Sequence, residues 1–111
     1  MLDIICQPPE RITVCEYRLA IRFNKPQTID LPTTATIMSV AARGDRISVF
    51  AKVEVYDDFD YNDYQCSYEF VILKTDAVYK NPPENDLAFL GTVWLELTNI
   101  SGYHHVFYRQ I

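Results

Sequence analysis

The sequence predicts a mainly β protein: a small antiparallel β-sandwich or barrel of about seven strands, with little or no helix. Eight Tyr, six Phe and one Trp occur among 111 residues, and aromatic side chains suit the half-buried surface of a sheet. Short runs of alternating apolar and polar residues recur along the chain, separated by turn residues. With 49% hydrophobic content, residues 1–111 are expected to form a single domain.

The first predicted strand runs from Tyr17 to Phe23, where apolar residues alternate with a basic face. The apolar residues of this strand have odd numbers, whereas the apolar residues Ile12 and Val14 before it have even numbers. This change predicts either a bulge near Cys15 or a junction between two elements. A second, short strand is predicted over residues 28–32, because Pro32 ends the apolar run there.

The clearest hairpin signal lies in residues 35–56. Apolar and polar side chains alternate from Arg46 to Val55, a period that an amphipathic helix does not accommodate. Arg43-Gly44-Asp45 separates the two runs, and glycine supplies the positive φ that a tight turn requires. The same tripeptide matches an integrin-binding motif, but we interpret it as a turn.

The middle of the chain combines one strand with two loops. Residues 57–65 are acidic and aromatic without a clear period, so they are expected to form an exposed loop. Residues 67–73 are apolar on both faces, which is typical of a central strand. Residues 74–86 contain Asn81-Pro82-Pro83 and are predicted to form a crossing loop.

Residues Leu87 to Tyr108 contain the only Trp and both His residues, on either side of a polar turn at residues 98–102. A buried hairpin face is predicted from the residues that share one parity: Leu87, Phe89, Gly91, Val93, Leu95 and Leu97 in the first run, and Tyr103, His105 and Phe107 in the second. A helix fits Leu87, Leu90, Trp94 and Leu97. Gly91 beside β-branched residues favours the strand, so we interpret this hairpin as the central support of the core.

The net charge of −5 is unevenly distributed. Nine acids and two lysines between Glu54 and Asp86 sum to −7, so the rest of the chain carries +2. A protein that binds nucleic acid directly has a broad basic face, and this distribution argues against one.

The sequence predicts no enzyme, no cofactor and no metal site. His104 and His105 are neighbours in a predicted strand and must point to opposite faces, so they cannot share a zinc site. The acidic loop has Asp63 where a calcium-binding EF-hand loop requires glycine. No nucleophile elbow surrounds Ser101 or Cys66.

Cysteine usage and hydropathy suggest where the protein resides. Its three Cys residues are odd in number and lack a Cys-x-x-Cys spacing, which favours reduced thiols. No run approaches the length of a membrane span, and the N-terminus lacks the features of a signal peptide. We therefore expect no membrane association and a cytoplasmic location.

The acidic loop is the predicted partner-binding site. Aromatic rings interleaved with carboxylates supply buried area, while the charges steer a basic partner. The predicted site residues are Asp57, Asp58, Phe59, Asp60, Tyr61, Asp63, Tyr64 and Glu69. A solvated loop without a binding role remains the alternative.

Several short motifs, in order, resemble a family of small domains of unknown function found mainly in bacteriophages and prophages. The matching residues are Tyr17-Arg18, Gln27 to Pro32 (Q-T-I-D-L-P), Ala35 to Val40 (A-T-I-M-S-V), Gly44, Phe50-Ala51, Phe89 to Thr92 (F-L-G-T) and His105 to Phe107 (H-V-F). Phe50 stands where the family has Trp, and the acidic loop is an elaboration of this chain. The resemblance implies a mostly β fold and a phage context, and no activity.

These observations predict a non-enzymatic phage protein that acts in the bacterial cytoplasm. We expect it to bind and inhibit or modulate a host protein or defence complex, as an anti-CRISPR-like protein does, with carboxylates that mimic nucleic-acid phosphates. One alternative is a protein that sequesters a nucleotide signal through Arg18, Arg22 or Arg46. Another is a structural or assembly role in the virion. The oligomeric state is left open, with a homodimer as one option.

Overall fold

Two antiparallel sheets pack face to face in this protein. The computed structural model describes residues 11–56, 64–78, 86–99 and 101–111. Within these residues the chain has no helix and seven strands: β1 (Arg11–Leu19), β2 (Gln27–Pro32), β3 (Ala35–Arg43), β4 (Arg46–Val55), β5 (Gln65–Lys74), β6 (Ala88–Glu96) and β7 (Ser101–Gln110). The strand orders are β1-β4-β3 and β2-β5-β7-β6. The predicted β-sandwich of about seven strands is confirmed.

The hydrophobic core lies between the two sheets. Because side chains alternate across a strand, every second residue of β4 faces inward. The buried core residues are Leu19, Ile47 and Val49 from the three-stranded sheet, and Phe70, Ile72, Val93, Leu95 and Val106 from the four-stranded sheet. β5 lies between β2 and β7, which confirms the prediction of a central strand.

Strand β1 differs from its prediction at both ends. It pairs with β4 in one unbroken register, from Arg11 opposite Val55 to Leu19 opposite Ile47, so the expected bulge near Cys15 is absent. The opposite parity of Ile12 and Val14 places them on the solvent face, where 57% and 55% of their surfaces are exposed. The parity change was misread because apolar side chains were assumed to be buried.

Residues 20–26 leave the first sheet and cross to the second, so the strand predicted to reach Phe23 ends at Leu19. The Gln27 side chain braces this crossing: its Oε1 accepts from the Ala20 N–H at 2.8 Å, and its Nε2 donates to the Ala20 carbonyl at 2.9 Å. Phe23 forms an isolated parallel bridge with Ile72. Phe23 also packs against the core, which accounts for the alternation that suggested a longer strand.

The β3–β4 hairpin is confirmed, with Arg43 paired to Arg46 across a turn in which Gly44 has a φ of 63°. A bulge between Ile37 and Ser39 interrupts the register. The Gly44 carbonyl accepts the Glu96 N–H at 3.1 Å, which ties the turn to the end of β6 in the other sheet.

The β6–β7 hairpin is also confirmed, but the predicted buried face of β7 was wrong. His104 and Val106 are fully buried, whereas Tyr103 is 57% exposed on the opposite face. The residues paired with His104 and Val106 are Val93 and Gly91, on the inner face of β6, so the even-numbered residues of β7 must face the core. Aromatic character alone did not reveal which face is buried.

Three further findings concern the thiols, metal binding and membrane association. Cys15 and Cys66 are half-buried free thiols, and Cys6 lies outside the described residues. In the described part of the chain, no group of three His, Cys, Asp or Glu side chains could hold a metal ion. None of the described residues belongs to a helix that could cross a membrane.

Candidate functional site

The predicted acidic loop lies almost wholly outside the described residues. This applies to Asp57, Asp58, Phe59, Asp60, Tyr61 and Asp63. The two remaining members of the predicted site, Tyr64 and Glu69, are described. Tyr64 is 57% exposed, and its carbonyl accepts the Thr33 N–H at 3.1 Å. This bond fixes the Tyr64 backbone just before β5, and the exposed phenol is accessible to a partner.

Glu69 takes part in an ion-paired network on the outer face of the four-stranded sheet. It lies directly opposite Arg109 in the β5–β7 ladder, and Arg109 Nε donates to Glu69 Oε1 at 3.1 Å. Arg109 Nη1 donates to both carboxylate oxygens of Asp86, at 2.9 and 3.0 Å. The Glu69 side chain is only 18% exposed, so its carboxylate mainly neutralises Arg109.

The same outer face carries two aromatic cross-strand pairs on β6 and β7, which we call the aromatic face. Trp94 meets Tyr103 edge to face with ring centroids 5.0 Å apart, and Phe89 meets Phe107 at 5.5 Å. Trp94, Tyr103 and Phe89 are 48%, 57% and 58% exposed. Such exposure is unusual for rings of this size on a sheet with one buried side.

A bulge explains how Phe89 reaches this face. Phe89 pairs with Phe107 and Gly91 with Val106, so Leu90 is the extra residue between them. One inserted residue reverses the parity of the residues before it. Phe89 therefore points outward although Gly91, two positions later, faces the core. The earlier prediction that Phe89 belongs to the buried face was wrong for this reason.

His105 lies at the centre of the aromatic face, between two threonine hydroxyls. Its Nε2 is 2.7 Å from Thr75 Oγ1, and its Nδ1 is 2.9 Å from Thr92 Oγ1. Thr75 Oγ1 also donates to the Tyr103 carbonyl at 3.0 Å, so it must accept from His105. Neutral His105 therefore carries its proton on Nε2, and the Thr92 hydroxyl donates to Nδ1. His105 therefore links Thr92 on β6 to Thr75, the residue that follows β5.

His104 occupies the opposite face and is completely buried. Its ring stacks on Phe23 with centroids 5.1 Å apart, and Nδ1 donates to the Gly102 carbonyl at 3.0 Å. Burial lowers the pKa of His104, and the nearby charges of Lys74 and His105 lower it further, against an opposing hydrogen bond to Gly102. The two histidines thus face different environments, as the sequence predicted, and His104 is a neutral core residue near pH 7.

A groove of about 450 Å³ lies on the outer face of the three-stranded sheet. Its charged walls bring together Arg18 from β1, Arg43 from β3 and Arg46 from β4. Ser48 pairs with Arg18 on one side and with Ala41 on the other, so these small residues form the floor. We call this the arginine groove, and it also includes Glu16 and Phe50.

Two of the three arginines proposed as ligand contacts are therefore neighbours. Arg22 does not line the arginine groove, because it lies on the crossing segment after β1. Arg43 lines the groove instead of Arg22, although its position in the sequence indicated only a turn. The sequence signal that could have identified Arg43 is the two-residue turn that follows it. A hairpin with this turn places Arg43 directly opposite Arg46.

A second cavity of about 360 Å³ opens where the sheets separate. It is lined by Ala35, Thr36 and Ile37 of β3, and by Tyr68, Tyr108 and Gln110 of the four-stranded sheet. Burial raises the pKa of the Tyr68 phenol, and Cys66 and Tyr108 raise it further. The phenol stays protonated, and no charged side chain lines the cavity. We regard it as the open end of the core.

A protein-family model covers residues 11–111, almost the whole chain. The chain belongs to the DUF7352 family, a domain of unknown function. No curated protein and no solved structure matches this DUF7352 domain. The family match spans all seven strands and so includes both the aromatic face and the arginine groove.

Proposed function

We propose that this domain is a non-enzymatic binding protein that captures a protein partner through its aromatic face. The observation that supports this proposal is the exposure of three large rings on one side of the β6–β7 hairpin. Trp94, Tyr103 and Phe89 are each about half accessible to solvent. Tryptophan and tyrosine are the residues that most often dominate the free energy of protein–protein binding. Their pairing across strands holds the rings in place before binding, which reduces the entropy lost on association.

The charges around the aromatic face favour a partner with a basic rim. Glu96 follows Trp94 on the same side of β6, and Glu69 and Asp86 lie beyond Phe107. Arg109 pairs with Glu69 and Asp86 at one end of the face, and Glu96, opposite Ser101, adds a third carboxylate at the other end. The partner surface that fits is therefore an apolar cleft edged by lysine or arginine.

The acidic segment 57–63 extends this proposal. It contributes four of the carboxylates, Asp57, Asp58, Asp60 and Asp63, that give the chain its net charge of −5. With a phage origin, which rests on the sequence resemblance alone, the partner is a host protein or defence complex in the bacterial cytoplasm. Carboxylates in this segment then occupy positions that phosphates of a nucleic acid would take.

The aromatic face is tested by capture followed by quantitative binding. The immobilised domain is used to capture a bacterial protein, and the affinity of the purified captured protein is then measured by calorimetry. Trp94→Ala should weaken binding by about thirtyfold, the effect of a hot-spot residue worth about 2 kcal/mol. Phe89→Ser should weaken it as well.

Met38→Ala and Val14→Ser are matched controls, because these side chains are 53% and 55% exposed on the other sheet. Both should bind normally. Equal binding by Trp94→Ala and the native domain would refute the proposal, as would equal losses in the controls. Dimerisation of the domain that is abolished by Trp94→Ala would assign the face to a second copy instead.

The acidic segment needs a separate experiment. Replacing Asp57, Asp58, Asp60 and Asp63 by Asn should slow association with the captured protein and make its rate less sensitive to salt. An unchanged rate and salt dependence would remove nucleic-acid mimicry from the proposal. The aromatic face would still be judged by its own variants.

A further inference from the structure

We propose that the arginine groove binds a nucleotide, with its phosphates on Arg18, Arg43 and Arg46 and its base against Phe50. The groove is formed by one copy of the chain and lies on the three-stranded sheet, whereas the aromatic face lies on the four-stranded sheet. This inference is independent of the proposed capture of a protein partner.

The shape of the groove follows from residue size on a flat sheet. Ala41 and Ser48 are neighbours on β3 and β4, and their short side chains leave a depression. Long side chains surround it, because Arg18 lies on the other side of Ser48 and Arg46 lies two positions before it. Its volume of about 450 Å³ falls within the range of small-molecule sites, about 300–1,000 Å³.

The electrostatics of the groove favour an anion. The closest carboxylate to its guanidinium groups in the described residues is Asp45, whose Oδ1 is 4.0 Å from Arg46 Nε. Both side chains are more than half exposed, so this pair is weak. Glu16 also lies in the groove, where its carboxylate accepts the Ser48 hydroxyl at 2.6 Å and keeps its negative charge. Three arginines thus line one groove with Glu16 as its single carboxylate, which leaves a positive balance, and a phosphate group matches the planar geometry of a guanidinium group.

Phe50 narrows the ligand class from phosphate to nucleotide. It lies two residues beyond Ser48 on the same face, beside Glu16, and is half-buried. A strand advances about 3.3 Å per residue, so Phe50 is about 13 Å along β4 from Arg46. Because the Arg46 side chain can extend toward Phe50, the distance from its guanidinium group to the phenyl ring is shorter than this. That distance approaches the length of a nucleoside phosphate. A base can stack on the phenyl ring, with the Glu16 carboxylate available to accept from an amino or hydroxyl group.

A small ligand fits this face better than a nucleic-acid strand. The three arginines lie at one end of the sheet, whereas Lys52 and Glu54 follow Phe50 on the same face of β4 and offset each other's charge. The whole chain carries a net charge of −5, which repels a long polyanion. One to three phosphates at one end, and a single base, are what the groove can hold.

Calorimetry with ATP, AMP, adenosine and inorganic phosphate tests the inference. ATP should bind more tightly than AMP, inorganic phosphate should bind more weakly than AMP, and adenosine should show no binding. Arg18→Gln and Arg46→Gln should each lower ATP affinity by at least about tenfold, because each removes a charge-assisted hydrogen bond. Phe50→Ala should lower the affinity for ATP and leave that for inorganic phosphate unchanged.

Arg22→Gln is the matched control, since it removes the same charge from an exposed residue outside the groove. It should bind ATP normally. Glu16→Gln should bind ATP more tightly, because it removes a negative charge from the groove that holds the phosphates and keeps a side-chain oxygen that can accept from the base. Circular dichroism should show that every variant retains the native fold.

Three results would overturn the inference. The first is the absence of binding by any nucleotide at millimolar concentration. The second is an equal loss of affinity in Arg22→Gln and Arg18→Gln, which would indicate a diffuse charge effect. The third is tighter binding of a single-stranded oligonucleotide than of ATP, which would make the face a nucleic-acid surface. Trp94→Ala should leave ATP affinity unchanged, so this test and the test of partner capture fail separately.

Discussion

Gly91 lies in close contact with Val40 of the other sheet, and replacing it by alanine should destabilise the fold. A Cβ atom at this position would lie 2.8 Å from Val40 Cγ1. Val40 belongs to β3 and packs against the core, so its β-branched side chain cannot rotate freely. The added methyl group must therefore move β6 away from β3 or displace Val40.

The size of the effect follows from two opposing contributions. Overpacking of a core contact costs about 1–3 kcal/mol. Replacing glycine by alanine restricts the unfolded chain and offsets about 0.4–1 kcal/mol of that cost. The net loss expected for Gly91→Ala is therefore about 1–2 kcal/mol. For a domain of this length, the melting temperature should fall by about 4–8 °C.

Urea unfolding followed by Trp94 fluorescence measures this loss, since Trp94 is the only tryptophan and is on the same strand. Val40→Ala removes the atom that the new methyl group would meet. The double variant should be more stable than the sum of the two single effects, by about 0.5 kcal/mol or more. Strict additivity, or a Gly91→Ala variant as stable as the native protein, would refute the close-contact argument.

Three other predictions concern named side chains. Trp94 is 48% exposed, so its acrylamide quenching constant should be about half that of the unfolded chain; strong protection would contradict the exposed aromatic face. Burial lowers the pKa of His104, so at acidic pH the unfolded chain binds more protons than the folded one. As the pH drops below about 6.5, the free energy of unfolding should therefore decrease, by at most about 1.4 kcal/mol per pH unit. His104→Leu should flatten this dependence in urea titrations at several pH values. Glu69→Gln should cost about 1–2 kcal/mol and Asp86→Asn less than about 0.5 kcal/mol, because their side chains are 18% and 63% exposed around Arg109; the reverse order in urea unfolding would contradict this.

Alternation along single strands was the most reliable guide to this fold. It correctly placed the inward side chains of β4, and Gly44 correctly marked the turn before it. Alternation failed where a strand ended or gained a residue. The bulge at Leu90 reversed the direction of Phe89, and the crossing after Leu19 continued an apolar pattern without a strand. Neither event leaves a signal in residue type alone.

The candidate sites were less predictable than the fold. Arg18 and Arg46 were named from their charge, but their proximity depends on the pairing of β1 with β4. The pairing of Glu69 with Arg109 was not predicted, because the two residues are 40 positions apart in sequence. Exposed rings on β6 and β7 were assigned to the core, since a sequence shows hydrophobicity and does not show which sheet face is covered.

By itself, the sequence determined the β class, the number of strands, the β3–β4 turn and the opposite orientations of the two histidines. These features depend on local periodicity and on the backbone freedom of glycine. The tertiary structure decided which face of each strand is buried, which charges are neutralised and which arginines converge. Those outcomes depend on strand order and register, which join residues far apart along the chain. The arginine groove and the aromatic face therefore became visible only once the strands of each sheet were placed side by side.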